Sequence, residues 1–332
     1  KETVLNLLLT SKALKTFLST MSKRKKLTLL VFFIAALFFL GRPEKNIRIV
    51  SLSTTHSEIL LELRAHNYLV GIDKHVSNGR LKGIKRIDSY ITNTNEILSL
   101  SPTHVIIAFE NRQLEKDLFS TEIELILLPP AKNLDEVYNQ IFFVSKMVNK
   151  EREAQNIVEK MKKKNLEVIS MVEPSGKRIY HELGYSYGIY SLNENSLLGS
   201  FYRELGFVNI VDEINNQDQY PKIEESLIIE KDPELIIVGH KESFDSRLEN
   251  RPNWSNISAV KNEKIIYLEE NLANNWGTSS VDLLEELAIQ TGAIEKEENN
   301  TKQTFYWWFY IVVIISSVLI MNSRTRKTKE YS

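Results

Sequence analysis

Residues 48–63 of the chain read RIVSLSTTHSEILLEL, and residues 68–73 read YLVGID. The apolar runs Ile47–Leu52 and Tyr68–Ile72 are rich in β-branched residues and flanked by turn-forming residues, which is typical of buried parallel strands. Similar runs recur at Thr103–Phe109, Glu124–Leu128, Arg178–Leu183, Leu235–Val238 and Lys264–Leu268. The segments between these runs have helical patterns, so the alternation predicts an α/β architecture with parallel strands.

A long, heavily charged segment at residues 150–172 interrupts this alternation. It begins KEREAQNIVEKMKKKNLEVISM, contains no glycine or proline, and is followed by Pro174. Such a segment predicts a single solvent-exposed helix that ends before the proline. We therefore expect an N-terminal lobe at residues 46–148 and a C-terminal lobe at residues 177–294, joined by this helix.

The two predicted lobes share a short internal sequence repeat. Residues 96–107 read EILSLSPTHVII, and residues 225–237 read ESLIIEKDPELII. In each segment an apolar helix ends before a proline, Pro102 or Pro233, and an apolar strand follows. The repetition of this helix–proline–strand unit predicts that the two lobes are built alike.

Two apolar segments near the ends of the chain are predicted to span a membrane. Residues 27–41 follow the basic cluster KRKK, and residues 305–321 begin with aromatic residues and precede a basic tail. A buried core helix would need a polar face, which neither segment has. The first segment is also short enough for a signal-peptide core. Its bulky residues 38–40 do not form a small-residue cleavage site, however, which favours an uncleaved signal anchor.

The basic residues beside these segments predict the topology. By the positive-inside rule, residues 1–26 and the basic tail at residues 322–332 are cytoplasmic, and everything between the two helices lies outside the cell membrane. Met21, followed by SKRKK, looks like a natural start. We therefore interpret residues 1–20 as a non-native extension.

The overall composition excludes several classes of protein. The chain has 332 residues, 42 Lys+Arg against 43 Asp+Glu, and 42% hydrophobic residues, which is ordinary globular composition. A formal net charge of −1 argues against a nucleic-acid-binding protein. The absence of cysteine excludes a disulfide framework, a thiolate metal site, a cysteine nucleophile and a lipid-modified cysteine anchor.

The order of these segments resembles the cobalamin- and siderophore-type substrate-binding proteins of ABC importers. In that family a strand ends in a Ser/Thr-rich loop, a helix starts at a Thr-Glu pair, and a short LVG strand follows. The resemblance covers about residues 46–294, carried in order by residues 48–73, residues 96–109, the charged helix, the Pro233 unit, Val260–Tyr267 and a helix from Ser279. It implies two Rossmann-like lobes bridged by a rigid helix, with a ligand held in the cleft between them.

Loops that follow parallel strands point into such a cleft, and here they carry aromatic and histidine side chains. Aromatic rings offer a large, rigid contact area for a flat macrocycle or a catecholate. The predicted ligand-binding residues are Thr55, His56, His75, Phe109, Tyr185, Tyr187, Tyr190, His240 and Trp276. For His56 the sequence leaves two roles open, an axial ligand to cobalt or haem iron and a plain hydrogen-bonding group.

The family resemblance also implies docking on a permease through one glutamate in each lobe, seven residues before the proline. Those positions hold Asn95 and Ser226 in this chain, and the carboxylates lie one residue away at Glu96 and Glu225. A one-residue offset turns a helical side chain by about 100°. We expect docking through Glu96 and Glu225, and the offset leaves open a surface receptor or sensor without a permease.

One catalytic pattern competes with the binding role. Gly184-Tyr-Ser186-Tyr-Gly188 matches the G-x-S-x-G nucleophile elbow of α/β-hydrolases, and Asp212 or Asp232 with His240 would complete a triad. The elbow requires a helix directly after the serine, but a loop-like stretch follows Gly188, and no HGGG-type segment lies upstream.

The sequence therefore predicts a binding protein rather than an enzyme. We expect a monomer, anchored in the cell membrane, that captures a corrinoid or a related metal chelate for an ABC permease. The first alternative is a receptor or sensor for haem or a ferric siderophore that has no permease. We expect no resident cofactor, no protein-held metal apart from the axial role considered for His56, and no nucleic-acid partner. A serine hydrolase that uses Ser186 is the second alternative.

Overall fold

The computed structural model describes residues 47–185, 188–214, 218–240, 248–268 and 276–295. The predicted membrane segments at residues 27–41 and 305–321, with the termini at residues 1–26 and 322–332, lie outside these ranges. Among the described helices, none is both long enough and apolar enough to cross a membrane.

The first half of the described chain forms a parallel sheet with the strand order β3-β2-β1-β4-β5. Its strands are β1 (Ile49–Leu52), β2 (Leu69–Asp73), β3 (Lys85–Ile87), β4 (His104–Ile107) and β5 (Glu124–Leu127). The helices of this half are α1 (Thr54–Glu62), α2 (Thr94–Ser99), α3 (Arg112–Leu118) and α4 (Leu134–Met147). The central strands β1 and β4 are apolar because the sheet is covered on both faces.

The second half forms another parallel sheet, with the strand order β7-β6-β8-β9, after the long helix α5 (Glu151–Ser170). Its strands are β6 (Arg178–Glu182), β7 (Val208–Asn209), β8 (Leu235–Val238) and β9 (Ile265–Tyr267). The helices of this half are α6 (Leu197–Glu204), α7 (Glu225–Lys231), α8 (Ser258–Lys261) and α9 (Ser280–Gln290). The predicted α/β class with parallel sheets is confirmed.

The helix predicted in the charged segment is present as α5. One face of it is buried through Ala154, Val158, Met161 and Val168, and the charged residues cover the other face. It packs against α4 of the first half and against α9 after the second sheet. On the exposed side, Lys164 Nζ pairs with the carboxylate of Asp282 on α9 at 2.5 Å.

Every strand that the sequence predicted is present, with each end within two residues of the prediction, and the edge strands β3 and β7 were missed. Both are short, and the first two residues of β3 are exposed and basic, so neither carries the apolar run that signals a buried strand. The helix–proline–strand units are α2 with β4 and α7 with β8. Each of these strands pairs with the first strand of its sheet, β1 or β6, which places the two units equivalently.

The largest apolar cluster joins the two halves. It contains Ile49 and Ile106 of the first sheet, Ile179 and Ile237 of the second sheet, and Val158 of α5. Two smaller clusters cover the remaining face of each sheet. Apolar packing that includes α5 therefore holds the two halves together.

Candidate ligand-binding cleft

The loop after β1 is a single residue, because Ser53 directly caps α1. Its hydroxyl oxygen accepts a hydrogen bond from the backbone N–H of His56 at 3.4 Å. This cap satisfies one of the free N–H groups of the first helical turn. It holds Thr55 and His56 in that turn at the carboxyl end of β1, where both side chains are fully buried.

His56 has a hydrogen-bond partner on each ring nitrogen. Nδ1 lies 2.8 Å from Ser53 Oγ, and Nε2 lies 3.0 Å from Gln140 Oε1 on α4. Because Gln140 presents its carbonyl oxygen, Nε2 is the donor in this hydrogen bond. Burial lowers the pKa of His56 to about 4, against the opposing effect of the Gln140 hydrogen bond, so the ring is neutral near pH 7. An axial bond to a metal would require this ring to leave Gln140, so the geometry favours the hydrogen-bonding role.

Trp276, which follows the second sheet, contacts two residues of the first half. Its ring lies edge-on to that of His56, with centroids 6.4 Å apart, and to that of Phe109, at 6.5 Å. Phe109 follows β4 and is 62% exposed. The Trp276 indole N–H is buried and has no hydrogen-bond partner in the described part of the chain. A buried donor without a partner is rare in folded proteins.

His75 lies just after β2, at the carboxyl end of the first sheet. Its Nδ1 lies 2.9 Å from the carboxylate of Asp73, the buried last residue of β2, which also accepts the backbone N–H of His75 at 2.6 Å. Its ring lies edge-on to Tyr90, with centroids 5.5 Å apart. Tyr90 is 81% exposed and was not among the predicted residues.

On the second half, His240 belongs to a buried charged cluster around Glu182, the last residue of β6. The Glu182 carboxylate is fully buried and accepts hydrogen bonds from two Arg251 nitrogens at 2.6 and 2.8 Å, and from His240 Nε2 at 2.9 Å. The Tyr180 hydroxyl donates to it at 3.2 Å. Burial acts to raise the pKa of Glu182, but the hydrogen bonds from Arg251 and His240 hold it below its ordinary value.

Tyr185 packs against the same cluster. The Arg251 guanidinium carbon lies 3.6 Å from the centroid of the Tyr185 ring and 4.5 Å from that of the Trp254 ring. Sequence reasoning missed Glu182, Arg251 and Trp254. They are separated by up to 72 positions and match no short pattern, so only their proximity in the fold reveals them.

Tyr190 is partly exposed, and its backbone bridges Gly184 and Lys222 in antiparallel fashion. This bridge holds the chain after β6 close to the segment before α7. Tyr187, predicted beside it, lies outside the described residues. The structure therefore assembles His56, Phe109 and Trp276 in one group and Tyr185 with His240 in another.

The hydrolase alternative lacks its structural context. No helix follows Gly188 until α6 starts at Leu197, whereas a nucleophile elbow turns directly into a helix. Asp212 accepts the backbone N–H of Glu194 at 2.7 Å, and Asp232 accepts that of Ser258 at 2.7 Å. Ser186 itself lies outside the described residues.

Both docking candidates lie in the first turn of a helix, but at different positions. Glu96 lies in the first turn of α2 and pairs with Lys85 Nζ at 2.6 Å. Glu225 is the first residue of α7 and accepts the indole N–H of Trp254 at 2.5 Å. Their neighbours Asn95 and Ser226, the positions to which the sequence resemblance assigned docking, are exposed.

Two further features bear on the kind of site. Within the described ranges, no group of three or more His, Asp or Glu side chains is arranged to hold a metal ion. A groove of about 430 Å³ lies among α1, α5 and α9. Its lining mixes carboxylates with lysines, including Lys164, whose charge is already paired with Asp282, so it lacks the apolar lining of a typical ligand site.

Comparison with known proteins decides the family. The family model described as "Periplasmic binding protein" matches residues 49–272. The chain belongs to this family. The match covers both sheets and α5.

Relatives of this periplasmic binding protein share its fold at low identity. An ABC transporter substrate-binding lipoprotein of Bacillus subtilis, YvrC, is 22% identical over 253 residues, which is 73% of this chain and 78% of YvrC. The haem-binding protein HutB of Vibrio cholerae superposes with a TM-score of 0.65 at 18% identity, over 74% of this chain and 98% of HutB. The vitamin B12-binding protein BtuF of the same organism gives 0.63 at 19% identity, over 75% and 98%. At this identity the structural likeness shows the fold alone.

Proposed function

We propose that this periplasmic binding protein captures a corrinoid, or a related metal chelate, between its two halves and presents it to an ABC permease. The observation that carries the proposal is the contact of Trp276 with His56 and Phe109, which brings both halves to one aromatic site. The role is capture and release, without a chemical reaction. HutB and BtuF, which share the fold, are described as binding haem and vitamin B12, which supports a macrocyclic chelate here.

The chemistry of the site suits a large ligand with a flat face and polar edges. Phe109 offers an exposed ring, and such rings contribute contact area at little cost in side-chain entropy. The unpartnered Trp276 N–H offers a hydrogen bond to an acceptor on the ligand. A macrocycle cannot enter between two rings whose centroids are 6.5 Å apart unless one ring moves. Binding should therefore change the surroundings of Trp276.

We further propose that the protein is tethered outside the cell membrane and moves little on binding. YvrC is described as a lipoprotein, whereas this chain has no cysteine. The predicted helices at residues 27–41 and 305–321 would supply the tether and raise the receptor's concentration near its permease. As a rigid bridge between the lobes, α5 would resist bending more than loops do.

A receptor or sensor without a permease is the second candidate. Glu96 is already paired with Lys85, and Glu225 with Trp254, while the exposed positions Asn95 and Ser226 carry no charge. This arrangement supplies no unpaired carboxylate at either docking position. The fold is the same in both candidates, so only a partner assay separates them.

The test is a titration of the full chain, purified in detergent, with cyanocobalamin, haemin and a ferric siderophore. Binding is measured by equilibrium dialysis, and the emission of Trp276 is obtained as the difference from a Trp276→Phe variant. We expect one chelate to bind at micromolar concentration or tighter and to change the Trp276 emission. If none of the three binds, the chelate-capture proposal is wrong.

A further inference from the structure

A continuous line of contacts joins Glu225, the docking candidate of the second half, to Tyr185, a candidate ligand contact. Glu225 accepts the indole N–H of Trp254 at 2.5 Å. The Trp254 ring faces the Arg251 guanidinium at 4.5 Å, and the guanidinium lies 3.6 Å from the Tyr185 ring. Two residues predicted for different roles are thus separated by only two side chains.

Arg251 is held more firmly than a surface arginine. It is 6% exposed and forms a two-pronged ion pair with Glu182, whose carboxylate also binds His240. Two parallel N–H···O bonds fix the plane of a guanidinium, and in a low-dielectric interior such charge-assisted bonds are strong. Because the plane is fixed, neither Tyr185 nor Trp254 can shift without disturbing the ion pair.

The cluster ties together separate segments that meet at the carboxyl ends of the second sheet. Glu182 ends β6, His240 follows β8, and Trp254 reaches the first turn of α7 through Glu225. Trp254 is fully buried, so it cannot move independently of its neighbours. A displacement of the start of α7 is therefore transmitted to the guanidinium and to the ring of Tyr185.

We propose that Arg251 is a positioning residue that couples the start of α7 at Glu225 to Tyr185 on the ligand side of the second half. A cationic group of a docking partner that took the Glu225 carboxylate away from Trp254 would loosen Tyr185 and weaken the hold on the ligand. Coupling of this kind is reciprocal, so bound ligand would also alter the affinity of the docking face. The biological role of this coupling rests on the proposed function, but the physical link between Glu225 and Tyr185 does not.

The first test needs no ligand. Amide hydrogen exchange is measured by mass spectrometry on the unliganded full chain, in peptides that contain residues 180–185. Glu225→Ala should speed exchange of this segment about fivefold, which is the lower end of typical couplings between sites. Glu224→Ala is the matched control, because Glu224 is the exposed neighbour and its side chain caps nothing. Equal exchange in the two variants and the unaltered chain overturns the coupling.

A double-substitution cycle then assigns the coupling to the Trp254 hydrogen bond. Trp254→Phe keeps an aromatic ring against Arg251 but removes the donor to Glu225. If the hydrogen bond carries the coupling, adding Glu225→Ala to Trp254→Phe causes no further change in the exchange of residues 180–185. Fully additive effects would show that the two residues act independently and would contradict the proposal.

The ligand readout separates this proposal from the proposed function. With whichever of cyanocobalamin, haemin or ferric siderophore binds, Glu225→Ala should weaken affinity about fivefold at a temperature at which the variant is fully folded, and Glu224→Ala should not. If none binds, the proposed function fails while the exchange experiment still decides the coupling. An unchanged affinity in Glu225→Ala would contradict a coupling that reaches the ligand site.

Discussion

The indole of Trp276 lies edge-on to the imidazole of His56, with ring centroids 6.4 Å apart. The two residues are 220 positions apart in the chain and belong to different halves of the molecule. Hydrogen bonds to Ser53 and Gln140 hold the His56 ring in place, and the Trp276 ring packs against it. The contact therefore links the two halves at the carboxyl end of β1.

Removal of the Trp276 ring should weaken ligand binding more than stability. We expect Trp276→Ala to lower the affinity for the proposed chelate at least tenfold, about 1.4 kcal/mol, because it removes the ring that contacts His56 and Phe109 in the proposed site. The matched control is Phe119→Ala, which removes an 89% exposed aromatic side chain of the first half. Equilibrium dialysis measures both variants. An equal affinity in the two variants would remove Trp276 from the site.

Stability should fall as the solution becomes acidic, because two buried histidines resist protonation. Burial lowers the pKa of His56 to about 4 and that of His181 to about 3, from 6.5. Below pH 6.5 the unfolded chain therefore binds more protons than the folded chain does. The contribution of the two neutral histidines to the free energy of unfolding is complete above pH 6.5 and is lost progressively as the pH falls towards 4. Linkage gives a loss of about 2 kcal/mol for each histidine at pH 5.

Urea unfolding at pH 7 and pH 5 checks this expectation. His56→Gln should remove about half of the pH-dependent loss, since glutamine can still donate to Gln140 and does not titrate. His66→Gln, at an exposed histidine, should leave the loss unchanged. A pH dependence that His56→Gln does not alter would mean that His56 is already protonated in the folded protein.

The buried ion pair predicts a specific pattern of stability. Arg251→Met should cost about 3–5 kcal/mol, because it leaves the Glu182 carboxylate buried without its main partner. Glu182→Met combined with Arg251→Met should be less destabilised than Arg251→Met alone, since the uncompensated charge is gone. Urea unfolding at pH 7 gives the free energies, and Arg203→Met, at an exposed ion pair, serves as the control. A double variant that is the less stable of the two would contradict this account.

Docking through the first half should depend on Glu96 alone. If a permease partner exists, Glu96→Gln should lower stimulation of its ATPase while the chelate affinity stays unchanged, because Glu96 contacts Lys85 and no cleft residue. Glu115→Gln, in the first turn of the adjacent α3, is the control. Loss of chelate affinity in Glu96→Gln would make that carboxylate a ligand contact instead.

Much of the fold follows from local patterns. Leu235–Val238 is a strand at the bounds that its apolar run predicts, and α5 occupies residues 151–170 of the predicted segment 150–172. The strand is recognisable because burial on both faces gives a continuous apolar run, and the helix because burial on one face spaces its apolar residues periodically. The edge strand Lys85–Ile87 is not recognisable, because its pairing with β2 needs no apolar run.

The sequence by itself determined the α/β class, the order of the elements and several residues that reach the site, since these depend on periodicity and on the positions of turns. Only the tertiary structure decided which of those residues meet. His56 and Trp276 come together, and Glu182 holds Arg251 and His240, because packing brings together segments that are distant in the chain. Burial is also a property of the fold, so the neutral state of the His56 ring and the ion pairing of Glu182 could be inferred only from the tertiary structure.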